Sequence, residues 1–220
     1  MNRIKTRFLF FLVVAFASSA LCFLSSVVSN ASTPGEDEIT RIQKAYGDIR
    51  DVRGNFIQKS YIKDLKRTDT FKGRFYIKRP MKMKWEYKGE NAQEVFINGG
   101  DIVIYQKKDK QAFRGKFNRD TYGQAPIALL SGFGRIGEEF TASEKNGKII
   151  LKPRKPMGDI VSIEVEPSSE GFPIKSFTIN DSYSNRIEMT LNDVEINTGL
   201  EDKLFSPSFP EDVKIYEYRP

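Results

Sequence analysis

Any chemistry in this sequence has to be done without histidine. The chain contains none, and its single cysteine, Cys22, lies within an apolar N-terminal run. Neither a Ser-His-Asp nor a Cys-His nucleophile can therefore be assembled, and the commonest ligand of zinc, copper and non-haem iron is missing. What remains is carboxylate chemistry. Glu86 and Glu94 come nearest to an acid and base pair, but no constellation surrounds them, and scattered acids are ordinarily surface charge. The expectation is a protein that is not an enzyme, with no metal site and no cofactor. A cation is more informative. Arg79 has the odd parity of Phe75 and Ile77, so a strand that holds to Pro80 turns its guanidinium toward an apolar face, where it needs partners. A strand-end Arg that snorkels to solvent fits the same parity.

The elements that would carry these residues follow from charge and period. Arg3, Lys5 and Arg7 precede an uncharged run from Phe8 to Val28, and Ser29-Asn30-Ala31 is a small-residue site. Together they read as a signal peptide over residues 1–31, with an uncleaved anchor as the competing reading. Leu21 before Cys22 argues against a lipidation site. Removing the segment takes three of the 35 basic residues and the only Cys, leaving 32 basic against 29 acidic side chains over residues 32–220. An exported chain of this kind has no disulfide framework and is expected to have no nucleic-acid partner. Its lysine-rich stretches, 63–67 and 107–110, suit strand edges and turns.

Thr33-Pro34-Gly35-Glu36 forms a capping box, and Ile39, Ile42, Tyr46 and Ile49 follow at helical spacing, so a helix is predicted over about 34–49. The period then changes to two. Strands are predicted near 52–63, 69–79, 82–88, 93–98, 101–107, 111–117, 148–153, 159–166, 173–180, 186–196 and 213–218, forming one antiparallel meander of about 11 strands. In Met81 to Lys88 every odd residue is large and apolar and every even one charged, and Phe71, Phe75 and Ile77 repeat the pattern one strand earlier. A one-sided sheet needs cover. Curling into a barrel or half barrel with an apolar interior supplies it, as does a packed sandwich. Residues 125–134, Ala-Pro-Ile-Ala-Leu-Leu-Ser-Gly-Phe-Gly, read as a short apolar helix bounded by glycines, either a hinged cover or a plug for the barrel end. It presents Ile127, Leu130 and Phe133.

Phe56-x-Gln58, Gly73 to Pro80, Lys84-Trp85-Glu86-Tyr87, Ile97 to Tyr105, Ala125 to Leu130, Leu151-Lys152-Pro153 and Leu204-Phe205-Ser206-Pro207 occur in the order and spacing of a known family. The chain resembles the periplasmic outer-membrane lipoprotein carriers, LolA. That resemblance implies a mainly β fold with a few helices, an unclosed antiparallel β-barrel covered by a helical lid, and no catalysis. It implies acylated lipoproteins as cargo, taken from an inner-membrane releasing ABC transporter of the LolCDE type and given to an outer-membrane receptor of the LolB type. In the family the Arg of Lys-Arg-Pro closes the lid through hydrogen bonds to lid carbonyls, and Arg79 occupies that position. A family Phe active in transfer is matched here by Met83, which is flexible and polarisable but not aromatic. Phe75, Ile77, Met83, Trp85, Phe96, Ile127, Leu130 and Phe133 are the expected ligand-lining set. The same fold also serves as a periplasmic lipid- or lipoprotein-sensing regulator of anti-sigma factors, or as a carrier of another lipid.

Overall fold

The computed structural model describes residues 34–90, 92–117 and 136–217. Helix α1, Pro34–Gly47, leads into the hairpin β1 (Asp51–Ile62) and β2 (Arg67–Lys78). Then come β3 (Lys82–Lys88), β4 (Gln93–Asn98), β5 (Asp101–Gln106) and β6 (Gln111–Lys116). A four-residue helix α2 (Ile136–Glu139) precedes β7 (Phe140–Lys145), β8 (Lys148–Pro153), β9 (Ile160–Pro167), β10 (Ile174–Asp181) and β11 (Arg186–Ile196). A 3-10 turn, Asp202–Phe205, and β12 (Lys214–Glu217) follow. All twelve strands share one sheet in the order β12-β6-β5-β4-β3-β2-β1-β11-β10-β9-β8-β7, whose terminal strands are not paired with each other. The sheet is unclosed, as the family resemblance implies.

Two strands depart from expectation. The sequence over Phe140–Lys145 contains one large apolar residue and was not predicted as a strand, because a strand with only Phe140 buried carries almost no period-two signal. It forms through the Asn146-Gly147 turn, where both residues take positive φ (54° and 73°), the geometry that matches strand twist in two-residue hairpins. β12 was expected in an antiparallel meander. It instead pairs parallel with β6, from Lys214 opposite Gln111 to Glu217 opposite Arg114. The long connection from β11 to β12 allows this, since only antiparallel neighbours can be joined by a tight turn.

One buried cluster draws on α1 and on β1 to β5 and β7 to β11, so the sheet curls around a single apolar interior. α1 contributes Ile39, Ile42 and Tyr46 to it. The helix sits hard against the β7 end of the sheet: a Cβ on Gly35 would lie 2.8 Å from the Ser143 backbone. The outer face is less wet than the alternation of β3 suggests. Lys84 and Glu86 side chains are only 13% and 15% exposed, joined by a 2.7 Å ion pair, and Lys107 reaches Glu94 at 2.9 Å. Nearby the segment after β11 lies across this face, with Asp202 bonded to Lys78 and Lys82 at 2.7 Å each and Phe205 fully buried.

Candidate functional site

The interior is assembled by cross-strand pairing. Phe75 stands opposite Trp85 and Ile77 opposite Met83, all four buried on the inner face. The Phe75 and Trp85 rings stack with centroids 5.5 Å apart, and Phe56 packs on Trp85 at 4.7 Å. Glycines make this possible. Phe56 is paired with Gly73 and Phe75 with Gly54. A Cβ on Gly73 would come within 2.6 Å of the Phe56 ring and 2.1 Å of the Glu86 carbonyl, and one on Gly54 within 2.9 Å of the Phe75 ring. The motifs Phe56-x-Gln58 and Gly73-x-Phe75 are thus two halves of one ring-over-glycine lock. Gln58 completes it: its Oε1 accepts a hydrogen bond from the Tyr87 hydroxyl at 3.1 Å, and burial pushes the Tyr87 pKa up to about 12.

The other side of the interior is aliphatic. Ile39 and Ile42 of α1 lie over Ile149, Leu151, Val165 and Phe177, enclosing a gap of about 20 Å³, room for about one water-sized sphere. Two buried polar atoms, the Tyr46 hydroxyl and Trp85 Nε1, have no hydrogen-bond partner among the described residues. Burial alone raises the Tyr46 pKa, so its hydroxyl stays neutral.

Arg79 does not enter the interior. β2 stops at Lys78, so the odd parity that would have carried Arg79 inward ends one residue early, and the residue is exposed. Its guanidinium reaches back to α1, donating to the Gly47 carbonyl at 3.1 Å and to the Tyr46 carbonyl. A cation is favourable there, because the last carbonyls of a helix are unpaired and carry the negative end of its dipole. Ile127, Leu130 and Phe133 lie outside the described residues. Phe96 is buried but on the wrong face: it stands opposite Lys84 and Val103, with the Lys84 ammonium 5.3 Å from its ring, whereas Val95 stands opposite Trp85. Val95-Phe96-Ile97 is a continuous apolar run, and a strand covered on both sides carries no alternation from which a face can be read.

Sequence reasoning missed Asp51, the one buried charged residue among the described residues. Its carboxylate accepts hydrogen bonds from the Thr198 N–H (2.7 Å) and hydroxyl (3.1 Å) and from the Gly199 N–H (3.1 Å). Beside it, Asn197 accepts from the Arg50 N–H at 2.7 Å and donates to the Asp48 carbonyl at 3.2 Å. The exit of α1 is therefore tied to the ends of both β2 and β11. The only signal was the turn-forming Asn197-Thr198-Gly199 far along the chain.

Glu86 and Glu94 do face one another across β3 and β4, on the outer face. Burial raises the Glu86 carboxyl, but hydrogen bonds and charge from Lys84 and Arg74 outweigh it and hold the group below its ordinary value. Such a carboxylate anchors lysines and is poorly suited to give up a proton near neutrality. No group of three or more potential metal ligands occurs among the described residues. The arrangement offers a dry aromatic and aliphatic interior behind a helix held by hydrogen bonds at its exit.

Known proteins resemble the chain in sequence and in fold. Residues 48–208 match the family described as "Outer membrane lipoprotein carrier protein LolA". Proteins named outer-membrane lipoprotein carrier protein are 25% identical over 204 residues in Halorhodospira halophila, covering 92% of this chain and 96% of that one, and 28% identical over 207 residues in Alkalilimnicola ehrlichii, covering 90% and 92%. Among solved structures, an uncharacterized conserved protein from Thermus thermophilus shares the fold with a TM-score of 0.52 at 11% identity, over 83% of this chain and 98% of that one. A putative outer membrane lipoprotein-sorting protein domain from Vibrio parahaemolyticus gives 0.50 at 10% identity, over 78% and 95%.

Proposed function

The chain belongs to the LolA family, and from that premise we propose that it carries lipoproteins across the periplasm, binding their acyl chains in the curled sheet beneath α1. Residues 1–31 are removed on export, and residues 32–220 act as one monomeric domain. Cargo comes from a LolCDE-type transporter in the inner membrane and passes to a LolB-type receptor at the outer membrane. The observation that supports this reading best is the joint one of an apolar inner face and a covering helix whose exit is held by the polar contacts of Arg79 and Asn197.

The physical need is plain. Each buried methylene contributes about 0.8 kcal/mol, and one myristoyl chain already gives reversible membrane binding, so a lipoprotein with two or three longer chains does not leave a bilayer unaided. A carrier must hide the chains and still release them. The gap of about 20 Å³ between α1 and the aliphatic wall is far too small for an acyl chain, so a chain that lies there displaces the helix. The isoleucines of α1 and the methylenes of a chain then exchange against the same wall, which keeps net affinity moderate because burial free energy follows apolar area. Phe75, Ile77, Met83 and Trp85 form the floor of the site, Arg79 is the closing residue, and Ile127, Leu130 and Phe133 are the further residues proposed to contact the chains.

Mass spectrometry of material co-purifying from a periplasmic extract tests the reading. Bound triacylated peptide is the expected result, and free phospholipid or glycolipid in its place overturns the lipoprotein assignment. The same spectrum reads the mature N-terminus, expected at Ser32.

A further inference from the structure

The two edges of the sheet are treated differently. β7 lies under α1, where Gly35 touches the Ser143 backbone. β12 is exposed along all four residues, with Ile215 and Tyr216 46% and 43% accessible. The Lys214 N–H bonds to the Lys110 carbonyl, so the parallel ladder with β6 uses the main-chain groups of Lys214 and Tyr216. Those of Ile215 and Glu217 alternate to the opposite side and point away from the sheet. Along this edge runs a groove of about 630 Å³ on the outer face, with Phe96, Val103 and Phe205 as its floor and Arg114 and Glu217 on its rim. Arg114 and Glu217 are paired in register on neighbouring strands, yet neither side chain has a hydrogen bond or ion pair among the described residues. On the inner side Tyr216 stacks on Phe113 with ring centroids 5.5 Å apart.

We propose that β12 and this groove form a docking site for an extended segment of a partner protein, which adds to the sheet as a further strand. The backbone chooses the occupant. A row of N–H and C=O groups with no partner among the described residues is satisfied by another extended chain, whereas a lipid or compact ligand leaves it unpaired. Alternate side chains of the added strand fall beside the groove on one face and beside Tyr216 on the other. An acidic residue there meets Arg114, and a basic one meets Glu217. The favoured partner segment alternates β-branched residues with polar ones and carries at least one charge on its groove side.

The probe is a blocked peptide of about seven residues alternating threonine with valine and carrying one aspartate, titrated into the mature protein by amide NMR. The expected result is saturable shifts at Ile215, Glu217, Val103 and Arg114, with slowed solvent exchange of the Ile215 and Glu217 amides. Ile215→Pro removes a donor that β6 does not use, so it leaves the dispersed spectrum in place and weakens the probe by about tenfold or more. Arg114→Glu weakens the aspartate peptide and strengthens its lysine counterpart. Equal binding to Ile215→Pro, shifts confined to other surfaces, or no shift at millimolar probe overturns the proposal. So does self-association without probe that Ile215→Pro abolishes, since the edge then belongs to a second copy of this chain.

Discussion

Two parts of the interior are built from different side chains and for different purposes. On β1 to β3, Phe56, Phe75, Trp85 and Tyr87 interlock ring on ring, and Gly54 and Gly73 bring two of those rings onto bare backbone. On β8 to β10, Ile149, Leu151, Val165 and Phe177 lie under the isoleucines of α1. The first wall is specified by shape. Its contacts involve main chain, which cannot step aside, so it holds a fixed surface. The second is specified by area alone, and apolar area is satisfied as well by an acyl chain as by a helix. A carrier needs both: a wall that does not collapse when cargo leaves, and a cover whose contacts the cargo can reproduce.

The contrast breaks first at the aromatic wall. Phe56→Ala is expected to cost about 3–5 kcal/mol, and Gly73→Ala a comparable amount at or above the ~1–3 kcal/mol of ordinary overpacking, since its neighbours include the Glu86 carbonyl. Urea unfolding measures both. Ile42→Ala, on the aliphatic side, is expected to fall at or below the lower end of the ~2–5 kcal/mol range for such truncations, because α1 can relax, and to speed lipopeptide uptake. Equal losses at Phe56 and Ile42 with unchanged uptake erase the distinction.

Arg79→Leu sharpens the role of the tether. Hydrogen bonds to a charged group contribute about 1.5–3 kcal/mol, and exposure of Arg79 reduces this, so the variant folds with a shift near 1 kcal/mol or less. It takes up lipoprotein and fails to hand it on, as read by release from spheroplasts followed by incorporation into outer membranes. Efficient transfer by the variant contradicts the tether.

The smallest effect lies on the outer face. Hydrogen bonds from Lys78 and then Lys82 lower the Asp202 pKa from 3.8 to about 2. A depressed folded value means that the contribution is present above pH 3.8 and is lost as pH falls through about 2. The group is exposed, so the effect is weak and screened by salt. Faster amide exchange at Leu204 across that window, with the aromatic wall unchanged, is the expected outcome.

Much of this was legible in the sequence, for reasons that also mark where reading stopped. The alternation from Met81 to Lys88 separated the faces of β3, and the antiparallel meander placed β1 beside β2, although the lock between Phe56 and Gly73 became visible only in the fold. Parity misled at Arg79 because a strand's last residue is set by the turn that follows, here one position before the residue of interest. It was silent at Phe96 because both faces of β4 are covered, the outer one by a segment over a hundred positions later. Asp51 was invisible for the same reason: its partners are in the Thr198-Gly199 turn. Local period reports which side of a strand is dry. It does not report what distant chain makes it so.

The central claim is that acyl chains lie within the curled sheet, against the wall that contains Trp85. Trp85 is the only tryptophan of the chain and is fully buried on the inner face. Lipopeptides brominated at successive positions along an acyl chain, titrated into the mature protein, make its fluorescence a direct reporter. Saturable quenching at one equivalent, strongest for one region of the chain and relieved by unlabelled lipopeptide, is the predicted result. Retention of the lipopeptide by the protein on ultrafiltration, with Trp85 emission unchanged for every bromine position, would contradict it.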